Sequence, residues 1–501
     1  MTDNNQQELR CRDLPTRPQP EMGRILVTGA SGYIGGRLVP ELLARGYRVR
    51  IMIRAYSPEF QEQWPEAEIV VADALDRESL QKACDGIAVA YYLIHSLLLG
   101  PKAFESTEIQ AANNFREAAE KSGIKRIIYL GGLGDTAKSL SPHLKSRIEV
   151  AKALKNGNIS VTILRAAVII GAGSASYEIL RELVKRLPIL LIPHWAENKC
   201  QPIAIRDVIK YLVGVLEIPD TSDKTFDIGG TDILSYKEML QIFAGLLNKK
   251  MLFIPFPLSN IGFYAYFANL LTPVPAPITL ALMAGLKSEV CCLDDEILDY
   301  LPFQRLDYRQ AVIRALTREE QDQIYTRWTN AYPPAHELAI KLKELQETPK
   351  YTTSYSIRTS KSDAALFQEI CHVGGKDGWF SNNWMWRLRG WVDRVLMGVG
   401  ESRGRRSYQS LKINDVIGFW RIEDLQVNKR LLLRAEMKLP GRAWLEFTIQ
   451  NHSSERILSV IPYYHTKTIF GKLYWYFFLP FHGIIFNSLI KQIEKRSAFT
   501  L

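Results

Sequence analysis

The sequence predicts an α/β fold, a doubly wound parallel sheet carrying a small substrate lobe, with an α+β domain behind it. Three observations lead there. From Arg24 to about Leu316, apolar β-type runs alternate with helical patterns, the signature of parallel strands joined by crossover helices. The first run ends at Thr28 and opens directly into Gly29, Gly32 and Gly35, spaced G-x-x-G-x-x-G. Beyond Pro349 the alternation becomes that of antiparallel strands. A chain of 501 residues, 47% hydrophobic, exceeds what one core usually supports and carries enough apolar residues for two.

Residues 1–22 are rich in Gln, Asn, Arg and Pro and lack the hydrophobic centre of a secretory signal, so they read as a flexible N-terminal arm. Strand candidates follow at Ile25–Val27, Val49–Ile53, Glu68–Val71, Val89–Ile94, Ile127–Leu130 and Val161–Arg165. Helical patterns lie between them at Ile34–Arg45, Asp76–Cys84, Glu105–Ser122 and Leu144–Lys155. After Gly171, longer helices and Pro-punctuated turns suggest a substrate lobe over about 172–330, completing a first domain of residues 23–345. Within it, Phe253, Phe256, Phe263, Tyr264, Tyr266 and Phe267 make residues 251–286 apolar, but Pro273, Pro275 and Pro277 interrupt the run. A transmembrane span needs about 20 apolar residues, so a greasy pocket or an interfacial helix is expected there.

The glycines carry the first chemistry. A strand that bends sharply into a helix while its amides face a pyrophosphate has no room for side chains at three points. Gly29 permits the turn, Gly32 admits the phosphates, and Gly35 lets the helix pack on the strand, whose positive N-terminus attracts the anion. Thr28, Ser31, Tyr33 and Ile34 complete that loop. At the end of the second strand, a site that prefers NAD places an acid on the ribose 2′-hydroxyl; this chain has Arg54. A guanidinium pairs with a 2′-phosphate instead, so NADP(H) is favoured over NAD(H), the other reading being a solvated arginine. Ligands of such sheets sit beyond the carboxyl ends of the strands, so Arg54, Asp73, His95, Gly131 and Ala166 should line one crevice.

Six cysteines show no C-x-x-C pair and no metal-ligand spacing with histidine, which points to thiols in a reducing, cytoplasmic compartment and to no metal site. Residues 351–501 hold 22 Lys and Arg against 12 Asp and Glu, a surplus equal to the +10 of the whole chain. That part can meet an acidic ligand or an anionic membrane surface peripherally, or simply present a solvated basic face. No nucleic-acid reader motif accompanies the charge.

Thr28-Gly-Ala-Ser-Gly-Tyr-Ile-Gly35, Asp73 after the third strand and Tyr92-Leu-Ile-His-Ser96 after the fourth resemble the short-chain dehydrogenase/reductase superfamily. The likeness is to its atypical, NmrA-like, nucleotide-sugar-epimerase-related branch and covers roughly residues 23–320. It implies that Asp73, with the adjacent Ala74, contacts the adenine and that the peptide from Leu93 to His95 runs beside the ribose. Working members use a Tyr-x-x-x-Lys pair after the fifth strand, where i and i+4 share a helix face and the lysine lowers the tyrosine pKa. Here the segment reads Ser141-Pro-His143-Leu-Lys-Ser-Arg147, and the usual helper serine is missing from Leu130-Gly-Gly-Leu-Gly134. Two readings follow. In one, His143 replaces the phenol as proton donor, its pKa lowered by Arg147 and Lys145, and hydride moves to or from an apolar carbonyl or enone, isoprenoid- or quinone-like. In the other, the catalytic pair has decayed and the domain binds NADP(H) as a sensor, assembly or accessory element.

Residues 352–501 contain Gly374-Gly-Lys-Asp-Gly-Trp-Phe, Trp384-Met-Trp-Arg-Leu-Arg-Gly-Trp-Val-Asp393 and Gly400-Glu-Ser-Arg-Gly-Arg-Arg406. They resemble the uncharacterised domain fused behind NmrA-like domains, itself similar to the START-like, helix-grip (SRPBCC-type) superfamily. That likeness implies an antiparallel sheet gripping a long C-terminal helix over an apolar ligand cavity. Alternation over Asp415–Ile422, Arg430–Lys438, Ala443–Gln450 and Ser454–Pro462 supplies strands, and the last helix should begin near Ile469. Its apolar stretch suits either a cavity lid or a membrane span, with Pro480, His482 and Gly483 arguing against the span. Seven of the ten tryptophans fall here, mostly as core packing. Arg403, Arg405 and Arg406 form a basic cluster suited to a carboxylate or phosphate, or a solvated loop.

Overall fold

The computed structural model describes residues 9–54, 58–95, 101–134, 141–257, 260–320, 342, 345, 349–375, 377–401, 411–452 and 455–497. The chain divides into two compact units, 1–271 with 277–333 and 272–276 with 334–501. The cluster Arg403, Arg405 and Arg406 lies outside the described residues.

In the first unit, β1 (Arg24–Thr28), α1 (Gly35–Ala44), β2 (Val49–Ile53), α2 (Pro58–Gln63) and β3 (Glu68–Val71) are followed by α3 (Arg77–Cys84), β4 (Ile87–Tyr92) and α4 (Pro101–Lys121). β5 (Arg126–Gly132), α5 (Pro142–Lys155) and β6 (Ser160–Ala166) come next. With the strand Thr225–Ile228 they form a seven-stranded parallel sheet whose order reads 225–228, β6, β5, β4, β1, β2, β3. Strand alternation sends side chains to two faces. Ile25, Val27, Val49, Ile51, Val89 and Tyr91 pack with Leu38 and Leu42 of α1 and with the helix Ile205–Glu217. Leu26, Met52, Ala90, Tyr92, Ile127 and Tyr129 pack with Leu80 of α3, Phe115 of α4 and Leu154 of α5. Helices therefore cover both faces, and the order reverses between β1 and β4, the place where a crevice opens.

The N-terminal arm differs from its expectation. From residue 9 onward it is packed: Cys11 and Leu14 are buried in the core beside α1, and Glu41 accepts the backbone N–H groups of Arg10 (2.6 Å) and Cys11 (3.1 Å). Arg45 pairs with the buried Glu217 and donates to the carbonyls of Cys11 and Thr16. The polar composition that suggested a solvated arm serves this buried network.

The second unit is an antiparallel sheet in the order 351–352, 455–465, 442–452, 430–435, 420–426, 416–417, with Tyr355–Thr359 also paired to 455–465. Helices Asp363–His372, Asn383–Val395 and Ile469–Arg496 accompany it. Trp475 stacks on Tyr464 (centroids 5.8 Å, planes 9° apart) and Phe486 lies 5.7 Å from Tyr355, so the last helix is fastened to the sheet by aromatics along one side. Trp379, Trp386, Trp420, Trp444 and Trp475 are buried, whereas Trp384 and Trp391 are exposed.

Candidate functional site

The turn between β1 and α1 sits at the reversal point of the sheet. Gly29 has φ +64°, and a Cβ there would fall 2.7 Å from the Leu93 carbonyl oxygen at the end of β4. A Cβ on Gly35 would fall 2.4 Å from the Gly29 carbonyl oxygen. Both positions thus exclude any larger residue without backbone movement. Gly32 N–H donates to the Gly29 carbonyl at 2.9 Å and Gly36 N–H to that of Gly32 at 3.0 Å, which folds the loop back on itself and aims the start of α1 outward. A diphosphate fits this arrangement, a tight glycine turn leading into a ten-residue helix whose N-terminus carries partial positive charge.

The other loop residues have different tasks. Thr28 spends its buried hydroxyl on β4, donating to the Tyr91 carbonyl (3.0 Å) and accepting from the Leu93 N–H (3.0 Å), so it fixes the crevice rather than reaching into it. Ile34 is the N-cap of α1 and packs on the core. Tyr33 lies under Arg37, whose guanidinium is 4.0 Å from the ring centroid and which also donates to the Tyr33 and Ala172 carbonyls. Ser31 is half-buried in the turn. Arg54 is exposed at the end of β2, within electrostatic reach of Asp73. Asp73 Oδ1 accepts from the Leu75 N–H at 2.9 Å, while the carbonyl of Ala74 accepts from Asn114 at 3.2 Å. Gly131 and Ala166 lie at the ends of β5 and β6, where the Ala166 carbonyl accepts from the Leu133 N–H at 2.9 Å.

His95, His143 and Arg147 meet. The ring centroids of His95 and His143 are 5.1 Å apart, and Arg147 Nη1 lies 3.3 Å from His95 Nδ1. A residue that sequence reasoning passed over completes the cluster: Glu108 of α4, buried, places Oε1 2.9 Å from His95 Nδ1 and accepts from Ser146 on Oε2 at 3.0 Å. Its signal was present, because Glu108 shares the inward face of α4 with Ala111, Ala112 and Phe115, and a carboxylate on a buried stripe needs a partner. One proton on Nδ1 cannot serve two neighbours. A carboxylate only accepts and a guanidinium only donates, so the short contact to Glu108 calls for the proton on Nδ1 and makes Arg147 a neighbouring charge.

Burial pushes His143 down to about 3, with His95 and then Arg147 adding to it. Lys145, expected to contribute, is exposed. His95 is also held below the usual histidine value by burial and then by Arg147, while Glu108 pulls it up. Both rings are therefore neutral at neutral pH. Arg147 donates to the Leu130 carbonyl and sits 4.9 Å from the Tyr129 ring. Despite that cation, burial pushes the Tyr129 phenol up to about 12, so this pair does not reproduce an activated tyrosine.

Beyond the ends of β5 and β6 lies a cleft of about 320 Å³ lined by Leu133, Arg165, Lys199, Asp227, Glu289 and Leu293, among others. Arg165 pairs with Asp227 at 2.6 Å. Its lining is amphipathic. The aromatic residues expected to form a greasy pocket or an interfacial helix touch one another and Trp195, as in Phe263–Phe267 (4.6 Å) and Trp195–Tyr264 (5.3 Å), while Phe267 stays exposed. Among the described residues no group of His, Cys, Asp and Glu is arranged to hold a metal ion, and no two cysteines are joined in a disulfide.

Residues 21–330 match the NmrA-like family, and residues 345–489 match a family described as a protein of unknown function (DUF2867). The photosystem II assembly factor Ycf39 of Trieres chinensis is 24% identical over 49% of this chain and 78% of its own length. Mitochondrial NADH dehydrogenase [ubiquinone] 1 alpha subcomplex subunit 9 of Arabidopsis thaliana is 26% identical over 56% of this chain and 73% of its own. The crystal structure of the Citrobacter sp. triphenylmethane reductase complexed with NADP(H) superposes with TM-score 0.48 at 21% identity, covering 58% of this chain and 99% of that one.

Proposed function

The chain belongs to the NmrA-like family, and on that premise we propose that its first unit binds NADP(H) in preference to NAD(H) and acts as an oxidoreductase on a small carbonyl or enone substrate. The observation that carries this reading is the glycine turn at the reversal of the sheet, with the His95–Glu108 pair at the neighbouring strand end. When bound, the nicotinamide exchanges a hydride with a carbon of the substrate, whose oxygen gains a proton in reduction and loses one in oxidation. The residues of this chain divide the rest. Gly29 to Gly35 and the start of α1 hold the diphosphate, Arg54 pairs with a 2′-phosphate, and Asp73 and the Leu93–His95 peptide flank the nucleoside.

For the proton, His95 is the better placed of the two histidines. In oxidation it takes the hydroxyl proton on Nε2, and Glu108 stabilises the imidazolium that forms; in reduction it returns that proton. His143, driven to about 3, is too weak a base for that task and instead positions His95, with Arg147. The substrate reading stays with a small, largely apolar molecule, but the lining of the cleft asks for one polar or charged end, to be met by Arg165 or Lys199. For the second unit, the antiparallel sheet and the 28-residue helix lying along it support the START-like relationship and an apolar ligand. Cysteines without disulfides among the described residues support a reducing compartment such as the cytoplasm.

Turnover decides the enzyme reading. Purified full-length protein should oxidise NADPH with some member of a quinone, enone and aldehyde panel, and His95→Asn should abolish turnover while leaving NADPH affinity within about threefold. NADPH binding without turnover across the panel would favour the second reading, a dinucleotide-dependent assembly or sensor protein. That reading is supported by the depressed His143 and by relatives named as an assembly factor and a complex subunit. Cofactor preference rests on Arg54: Arg54→Ala should lower the NADPH/NADH affinity ratio about tenfold, and an unchanged ratio contradicts the assignment.

A further inference from the structure

Two exposed apolar stripes of the second unit are used by nothing described so far. On the helix Ile469–Arg496 one side is buried through Gly471, Trp475, Phe486, Leu489, Ile490 and Ile493. The other presents Phe470 (73% exposed), Leu473, Phe477 (66%), Phe481 and Ile484 at helical spacing. On the helix Asn383–Val395, Trp384, Leu388, Trp391 (62% exposed) and Val395 form a second stripe. Both helices meet the same turn of the sheet. Arg389 donates to the Lys438 carbonyl at 2.7 Å, and Thr466, just before the last helix, donates to the Pro440 carbonyl at 2.8 Å. A patch of exposed aromatics of this kind marks a contact surface.

The charges around it choose the occupant. Residues 469–490 contain no Asp or Glu. The one acid of the helix Asn383–Val395, Asp393, is buried and accepts the backbone N–H groups of Gly400 and Lys438. Exposed around the stripes are Arg387, Lys438, Lys467 and Lys472. Aromatic rings interleaved with cations, of which Arg387 is partly offset by the half-buried Glu401, suit the headgroup region of an anionic bilayer, where rings bury and Lys or Arg meet lipid phosphates. The helix is long and apolar enough to cross a membrane by length and composition, but spanning would tear Trp475 from Tyr464 and Phe486 from Tyr355.

We propose that the exposed side of the helix Ile469–Arg496, with Trp384 and Trp391 beside it, docks the second unit in the plane of an anionic membrane surface, its buried side staying on the sheet. This is independent of the dinucleotide reading. The test is flotation of the full-length protein with vesicles of phosphatidylcholine alone and of phosphatidylcholine mixed with phosphatidylserine. Binding to the mixed vesicles is expected to weaken with salt and to drop about tenfold or more in Leu473→Ser/Phe477→Ser and in Lys467→Glu/Lys472→Glu. All four side chains are exposed, so circular dichroism and melting should match the wild type and separate lost binding from lost fold. Flotation that is absent, indifferent to phosphatidylserine or unchanged in both variants overturns the proposal. Resistance to alkaline carbonate extraction overturns it in favour of a span, and lipid-free oligomers dissolved by the Leu473/Phe477 variant overturn it in favour of a second copy.

Discussion

Single residues decide whether the crevice exists. Gly35→Ala puts a methyl 2.4 Å from a carbonyl oxygen, which only backbone movement relieves, so the variant should melt earlier by at least about 1–3 kcal/mol of stability and lose NADPH binding. A variant of wild-type melting temperature and affinity would show that the turn is not built as described. At the histidine cluster, Glu108 raises the His95 pKa against burial; with neutral His95 as the proposed base, alcohol oxidation should fall as pH drops through a value below the usual histidine one. Glu108→Gln removes the pull, moves that acid limb to still lower pH and slows oxidation about tenfold or more; an unmoved limb would make the pair merely structural. His143, at about 3 when folded against roughly 6.5 unfolded, binds fewer protons in the native state across that window. Its contribution to stability is therefore full above the unfolded value and is lost as pH falls towards the folded one. Denaturant titrations should show His143→Asn with a flatter acid decline than the wild type, and parallel declines would contradict the burial of that ring.

Elements carry what the sequence made legible and what it did not. The six strands between Arg24 and Ala166, of the seven in the parallel sheet, emerge from the sequence within two residues of their observed ends, as does the start of the last helix at Ile469, because period-two and period-3.6 patterns are local signals. The Glu108–His95–Arg147 cluster was only half legible. His143 and Arg147 share one helix and are read from spacing, but Glu108 joins them across the packing of α4 on α5, a relation no window contains. The arm failed for the opposite reason: its polar composition looked solvent-seeking, yet Glu41 and Arg45 wait inside the unit to bind its backbone, and Glu217 accepts from its Thr16 hydroxyl. Deleting residues 1–16 should accordingly destabilise the first unit by about 3 kcal/mol or more, the burial of two apolar side chains alone accounting for that order. Chemical denaturation checks it, and a loss below about 0.5 kcal/mol would restore the flexible-arm reading.

At the scale of the molecule, two units divide the work: a parallel sheet that opens a crevice where its strand order reverses, and an antiparallel sheet whose last helix keeps an aromatic, cationic side exposed. The charge surplus is concentrated in residues 351–501, the part proposed to meet the membrane, and the glycine turn lies in the part proposed to bind the dinucleotide. Both the glycine turn and the proposed chemistry require that the first crevice hold a pyridine dinucleotide. Isothermal calorimetry of the full-length chain with NADPH tests that most directly. A single saturable site is predicted, with tighter binding than for NADH and loss of the heat in Gly35→Ala. Absence of heat and of any thermal shift in folded wild-type protein would contradict it.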